Sequence, residues 1–158
     1  MNRKNTNTFG ELDELDLAIL EILQENSRIS LKEISMKTNK PISTIYERLK
    51  RLYTKRIIKK FTVIIDYNKL GYGLKALVLV NVDGKYITDI EDYIAKHPNV
   101  LAVYDITGEF DVAILASFKS INELDSFVKW LLKHPHIRQT RTSIIFRTIK
   151  EDIHLPLK

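Results

Sequence analysis

Residues 30–54 read SLKEISMKTNKPISTIYERLKRLYT, and their spacing decides the amino-terminal fold. Ser30-Leu31-Lys32-Glu33 is a capping-box pattern, so a helix begins near Leu31, buries Leu31 and Ile34, and ends near Thr38. Asn39 tolerates the left-handed conformation that a tight turn needs, and Pro41 suits the first turn of a further helix running from about Pro41 to Thr54. In that helix Ile42, Ile45, Leu49 and Leu52 fall on one face. The opposite face carries Ser43, Glu47, Lys50 and Arg51, flanked by Thr44, Tyr46 and Arg48. Upstream, Leu12, Leu15, Ile19, Ile22 and Leu23 recur at helical spacing and predict a first helix over about Asp13 to Asn26. A short second helix and a tight turn leading into an amphipathic third describe a helix-turn-helix. Outward hydroxyls and forked cations suit a helix that reads base edges in the major groove, with Lys50, Arg51 and Ser43 as the base-contacting candidates. They equally suit an ordinary amphipathic helix with a basic exterior. The short second helix and the turn favour the first reading.

Charge is distributed to match. The chain of 158 residues carries a net +5, but Arg28 to Lys60 holds eleven basic residues against Glu33 and Glu47, which leaves the remainder net acidic. Such polarity points to a nucleic-acid-facing region joined to a region with another task, the alternative being a solvated basic face. At 44% hydrophobic and 28% charged residues the chain can bury a core in one domain or two small ones. No apolar run reaches the roughly 18 residues of a membrane span, and Met1 to Thr8 is too polar for a signal peptide, so a cytoplasmic location is expected. The chain has no cysteine, and His97, His134, His136 and His154 lack metal-ligand spacing, so neither a thiolate nucleophile nor a metal or other cofactor is expected.

Downstream of the basic region, Phe61, Val63 and Ile65 alternate with Lys60, Thr62 and Ile64, which predicts a linking strand over Ile57 to Ile65. Asp66 to Gly73 reads as a loop. A strand then runs from Leu74 to Val82, a helix from Ile87 to Lys96, a strand from Val100 to Thr107, a tight reversal at Gly108-Glu109, and a strand from Phe110 to Phe118. A second capping box, Ser120 to Glu123, opens a helix to about Leu132, and Ile137 to Ile149 is the last strand. Lys96-His97-Pro98 and Lys133-His134-Pro135 each end a helix ahead of a strand, an internal echo that makes two halves of a ferredoxin-like βαββαβ unit with both helices on one face. The two histidines read as helix-end residues rather than ligands. The fold class is therefore α+β: a three-helix, winged-helix-like domain over 1–56, a hinge over 57–73 and a ferredoxin-like domain over 74–158.

These strings, in this order, resemble the Lrp/AsnC family of feast/famine regulators over nearly the whole chain. The likeness rests on Leu12-Asp13 with Asp16 and Ile19-Leu20, Arg28-Ile29-Ser30, Glu33-Ile34-Ser35, Glu47-Arg48 with Arg51-Leu52, and Ile57-Ile58. In the second half it rests on His97-Pro98-Asn99-Val100, Thr107-Gly108-Glu109-Phe110-Asp111 and Thr140-Arg141-Thr142. The resemblance implies a transcriptional regulator that binds double-stranded promoter DNA and senses a small molecule, typically an amino acid. It also implies assembly as homodimers and often octamers of four dimers. By the same resemblance Gly108, Glu109, Phe110 and Asp111, with Tyr104 beside them and Gln139, Thr140, Thr142 and Ser143 of the final strand facing the same region, lie at the ligand or assembly surface. An amino acid's ammonium would suit Asp111 or Glu109, and its carboxylate the Gly108 amides or a threonine hydroxyl. Asn39 and Pro41 depart from the glycine and serine usual in the family. The residues before Leu12 have no clear counterpart and read as a basic arm through Arg3 and Lys4. An enzyme on a ferredoxin-like domain is disfavoured because no nucleophile with a base, glycine-rich phosphate loop or metal cluster is present. A sensor without DNA binding is disfavoured by the basic stretch around the third helix.

Overall fold

The computed structural model describes residues 12–152 and 154–157, so the basic arm read at Arg3 and Lys4 lies outside the described residues. The chain divides into two compact units, one reaching Ile64 and including the tail from Asp152, the other spanning Ile65 to Glu151.

The first unit consists of α1 (Glu14–Glu25), α2 (Leu31–Thr38) and α3 (Ile42–Thr54). Helices α1 and α2 start where a side chain satisfies a free amide. Ser30 Oγ accepts from the Glu33 amide, and the Glu33 carboxylate accepts from the Ser30 hydroxyl at 2.6 Å and from the Ser30 amide at 2.9 Å, two bonds that hold the Glu33 carboxyl below its usual range. Asp13 and Asp16 make the same reciprocal box at α1, with both bonds within 3.1 Å. Asn39 ends α2 with φ 51°, the left-handed turn expected of it, and its amide donates to Ser35 O. Pro41 precedes α3 as its cap rather than lying in its first turn, and has no side chain to accept from the helix amides. Ile19, Ile34, Ile45 and Leu52 are fully or almost fully buried where the three helices meet, while Ile42, expected on the same face, is 47% exposed at the helix start. Burying one such side chain stabilises by about 1.5–3 kcal/mol, so these four dominate a small core.

α3 stops in a Schellman turn: the Arg56 amide donates to Tyr53 O and the Ile57 amide to Leu52 O, both at 3.0 Å. The residue that must turn left-handed is Arg56, at φ 56°, where glycine is the usual occupant. The expected linking strand over Ile57 to Ile65 is absent: the chain bends at Ile57 and Ile58, the stretch joins no ladder, and Phe61, Val63 and Ile64 are exposed. Its β-branched alternation supplies propensity, but a strand exists only when a neighbour takes its amides and carbonyls, and no described strand lies alongside.

The second unit follows the order β1 (Leu74–Val82), α4 (Ile87–Ala95), β2 (Val100–Asp105), β3 (Val112–Phe118), α5 (Ile121–Leu132) and β4 (Ile137–Ile145). Its four strands lie in the order β2-β3-β1-β4, every pairing antiparallel, which is the ferredoxin-like arrangement. Val78 and Val80 of β1 and Ile114, Ala116 and Phe118 of β3 form one core with Ile90 and Ile94 of α4 and Leu124, Phe127 and Leu131 of α5, so both helices cover the same sheet face. The reversal after β2 is wider than the expected two-residue turn: β2 ends at Asp105, β3 begins at Val112, and the loop closes with Ile106 donating to Asp111 O at 2.8 Å. At Ser120 only half the second capping box forms, the Glu123 carboxylate accepting from Lys119 instead.

The internal echo is structural. His97 Nδ1 accepts the Asn99 amide and His134 Nδ1 the His136 amide, two residues on in each half. His97 also packs against Phe127 and Trp130, and this burial holds its pKa below the ordinary histidine value.

Two predictions follow from these turns. The unfolded chain protonates His97 before the folded one does, so its contribution to stability is complete well above the ordinary histidine value of about 6.5 and is lost as pH falls below it, towards the lower folded value. Thermal denaturation of the full chain followed from neutral pH downwards should therefore lose part of its pH slope in His97→Phe, and an unaltered slope would refute the assignment. Arg56→Gly removes a left-handed strain of about 1–2 kcal/mol and restores unfolded-chain freedom worth about 0.4–1 kcal/mol, so the variant should melt slightly above the native chain.

Candidate functional site

Helix α3 is fixed to α1 by charge. Asp16 is completely buried, and its two carboxylate oxygens accept from Arg48 Nη1, at 3.2 Å, and from Arg51 Nη2. Arg48 Nη1 also donates to Asp13, and this hydrogen bond holds the Asp13 carboxyl below its ordinary range. With the Asp13 amide as a further donor, the Asp16 carboxylate is satisfied on both oxygens. A buried carboxylate needs this, because removing one partner of a buried ion pair costs about 3–5 kcal/mol.

The clamp sorts the residues expected on the outer face of α3. Ser43, Tyr46, Glu47 and Lys50 are exposed, and Thr44 is half-buried on their flank. Arg48 and Arg51 are half-buried with guanidinium groups turned to α1, and Arg51 Nε is buried without a hydrogen-bond partner. The helical wheel puts Arg51 in the outward half with Ser43, Glu47 and Lys50, although it stands about 100° round from Lys50 towards Arg48. It could not show that Asp13 and Asp16, on another helix, draw both arginines to one side.

In the second unit the residues around the β2–β3 loop divide by role. Gly108 has φ 121° in open space at the loop, a conformation that side-chain-bearing residues resist. The Glu109 carboxylate is exposed and pairs with Arg141 at 3.2 Å, while the Glu109 carbonyl accepts from Asn81 Nδ2. Phe110, expected at the surface, is 4% exposed, and the Arg141 guanidinium lies 4.8 Å from its ring centroid. Asp111 accepts the Val82 amide at 2.7 Å, where the β1–β4 register shifts, so one carboxylate oxygen already serves the sheet. Tyr104 is exposed on β2 opposite Ala113.

The final strand requires a correction. Gln139, Thr140, Thr142 and Ser143 do not all face one region, because neighbours in a strand alternate. Thr140 and Thr142 lie opposite Val80 and Val78 on the helix-covered face, whereas Gln139 and Ser143 lie opposite Asn81 and Leu77 on the open face. Arg141, opposite Leu79, joins Gln139 and Ser143 there. Sequence reasoning passed over Arg141, although a cation between two threonines on a two-residue period with Gln139 was the available signal. It also passed over the inward role of Asp16, which the Asp13-x-x-Asp16 spacing before an apolar run announces.

With this geometry established, comparison with known proteins is direct. The AsnC-type helix-turn-helix domain matches residues 12–53, and the Lrp/AsnC ligand binding domain matches residues 75–155. The chain is 41% identical over 145 residues to an HTH-type transcriptional regulator of Pyrococcus furiosus, covering 92% of this chain and 98% of that protein. It is 38% identical over 147 residues to the HTH-type transcriptional regulator FL11 of Pyrococcus horikoshii, covering 93% and 97% respectively. Among solved structures, a transcriptional regulator of Neisseria meningitidis in complex with L-Met superposes with a TM-score of 0.86 at 30% identity, over 92% of this chain and 97% of that one. The chain therefore belongs to the Lrp/AsnC family of helix-turn-helix transcriptional regulators.

Proposed function

We propose that this regulator reads double-stranded operator DNA with the exposed row Ser43, Tyr46, Glu47 and Lys50 of α3, with Thr44 on its flank, and that an amino acid modulates it through the second unit. The observation that carries the DNA reading is the clamp: with Arg48 and Arg51 held by Asp16, the outward row is what remains to meet base edges. Arg48 and Arg51 then serve recognition by fixing the rotation of α3. The division of labour is residues 1–56 for DNA, 57–73 as the link and 74–158 for sensing and assembly. The exposed Phe61, Val63 and Ile64 of the link, and Leu77 and Tyr104 on the open sheet face, support assembly into homodimers, which we propose build further into octamers in the cytoplasm.

The effector reading is supported by the L-Met complex of the Neisseria relative and by the Glu109–Arg141 pair. An amino acid carries an ammonium and a carboxylate, and this pair offers an acceptor and a forked donor side by side on the surface. Gly108, Phe110, Asp111 and Tyr104 frame the loop, Gln139 and Ser143 extend the open face, and Thr140 and Thr142 back it from the helix side.

Mobility shift on DNA from upstream of its own gene tests the first reading. Native protein should bind selectively and salt-sensitively, and Lys50→Ala should weaken binding about tenfold, equivalent to about 1.4 kcal/mol, without lowering the melting temperature. Arg51→Ala should lower both, since it leaves the Asp16 charge under-partnered. Undiminished binding by a Lys50→Ala, Ser43→Ala double variant would refute the assignment. For the effector, a thermal-shift screen of the standard amino acids should find at least one that stabilises by mass action, by about 2.7 kcal/mol at a hundredfold excess over Kd. Arg141→Gln should abolish that shift, and a screen in which none stabilises would dismiss the site.

A further inference from the structure

The turn after α3 holds a feature that base reading by α3 does not use. Arg56 occupies the left-handed position of a Schellman turn, at φ 56°. Glycine or asparagine fits there without an arginine's steric penalty, and this chain does use asparagine at its other such helix end, Asn39. Residues held in unfavourable backbone regions concentrate where function needs them. What arginine adds over glycine at this position is a cation.

That cation has company. Arg56, Lys59 and Lys60 are all exposed, and none makes an ion pair with a described acidic residue. Tyr53, Thr54, Arg56, Ile58 and Lys59 line an open cleft at the carboxyl end of α3. Arg51 and Arg48, about one and two turns earlier, are neutralised by Asp13 and Asp16. From Arg56 to Lys60 the four residue steps span at most about 13 Å, whereas a DNA strand carries a charge every 3.4 Å or so along the axis. Cations across this stretch can therefore meet successive phosphates of one strand.

We propose that Arg56, Lys59 and Lys60 form a phosphate-binding site that grips the DNA backbone beside the segment read by α3. The proposal rests on the DNA reading above and adds to it a sequence-independent contact. The Schellman turn reverses the chain at the end of α3, so the cations leave the helix on a stretch whose starting point is pinned by the two amide bonds to Tyr53 and Leu52. Phosphate contacts set affinity and register but carry no sequence information.

The test uses the full chain and a mixed-sequence DNA duplex, with binding measured over a range of salt. Arg56→Gly is the informative variant, because it relieves the backbone and cannot lose binding through a weakened turn. It should reduce the slope of log affinity against log salt by about 1, and Arg56→Gly with Lys59→Gln and Lys60→Gln by about 3. The preference for its own upstream DNA over the mixed-sequence duplex should be unchanged in both. If the native chain shows its salt slope and the triple variant keeps it, this site is refuted while the α3 reading stands. If the triple variant loses discrimination but not slope, the cluster contacts bases, and the phosphate assignment is likewise refuted. A native chain with no salt-dependent binding overturns both readings.

Discussion

The first unit depends on one carboxylate taken wholly out of water. Four fully or almost fully buried aliphatic side chains make a small core, and Asp16 sits beside them with no exposure. Removing a charge from water costs several kcal/mol, and only close geometry to fixed donors offsets it. Those donors are Arg48 and Arg51, three residues apart on one face of α3, and the Asp13 amide at the start of α1. The hydrophobic contacts would tolerate some rotation of α3 about its axis. The buried carboxylate does not, because rotation would strip it of both guanidinium groups. The outward row from Ser43 to Lys50 is thus set by an interaction on the other side of the helix.

In the second unit the governing constraint is the two-residue alternation of the sheet. Even-numbered residues from Ala76 to Val82 point into the helices, leaving Leu77, Leu79 and Asn81 on the open face, and β4 inherits that division through its register. Around the β2–β3 loop, Asp111 secures the Val82 amide where the register shifts and Phe110 is buried under Arg141. These two residues make a platform, and the surface chemistry falls to the Glu109–Arg141 pair above it. Glu109 takes part in both, since its carbonyl accepts from Asn81 while its carboxylate meets the arginine.

How much of this was legible follows from the range of each interaction. The helices of the first unit were readable because their signals are local: Ser30 with Glu33, Asn39 in its turn, and apolar residues three and four apart. The βαββαβ order was readable for the same reason, helped by the repeated Lys-His-Pro ends. What escaped depends on contacts distant in sequence. The clamp joins residues thirty-two or more positions apart, and no periodicity within α3 reveals an acceptor on α1. The stretch over Ile57 to Ile65 has strand propensity but no described strand beside it, and propensity says nothing about a partner. The four β4 residues were grouped by motif, whereas alternation, a rule available from sequence, separates them. Sequence located the helices and strands that carry the candidate residues and left the direction of individual side chains to packing.

The basic stretch shows why a count of charges overstates an electrostatic footprint. Eleven cations lie between Arg28 and Lys60, yet those of the clamp face carboxylates and release no counterions when DNA approaches. Their charge is internal to the fold. Arg56 is the opposite case, an exposed cation kept at a backbone position where glycine would be easier. The arginine pair of the clamp makes the unit rigid by surrendering its charge, and the single Arg56 keeps its charge at a cost to the turn. Under the proposed reading, specificity and affinity fall to different side chains of one helix and its exit, so that changes in one need not disturb the other.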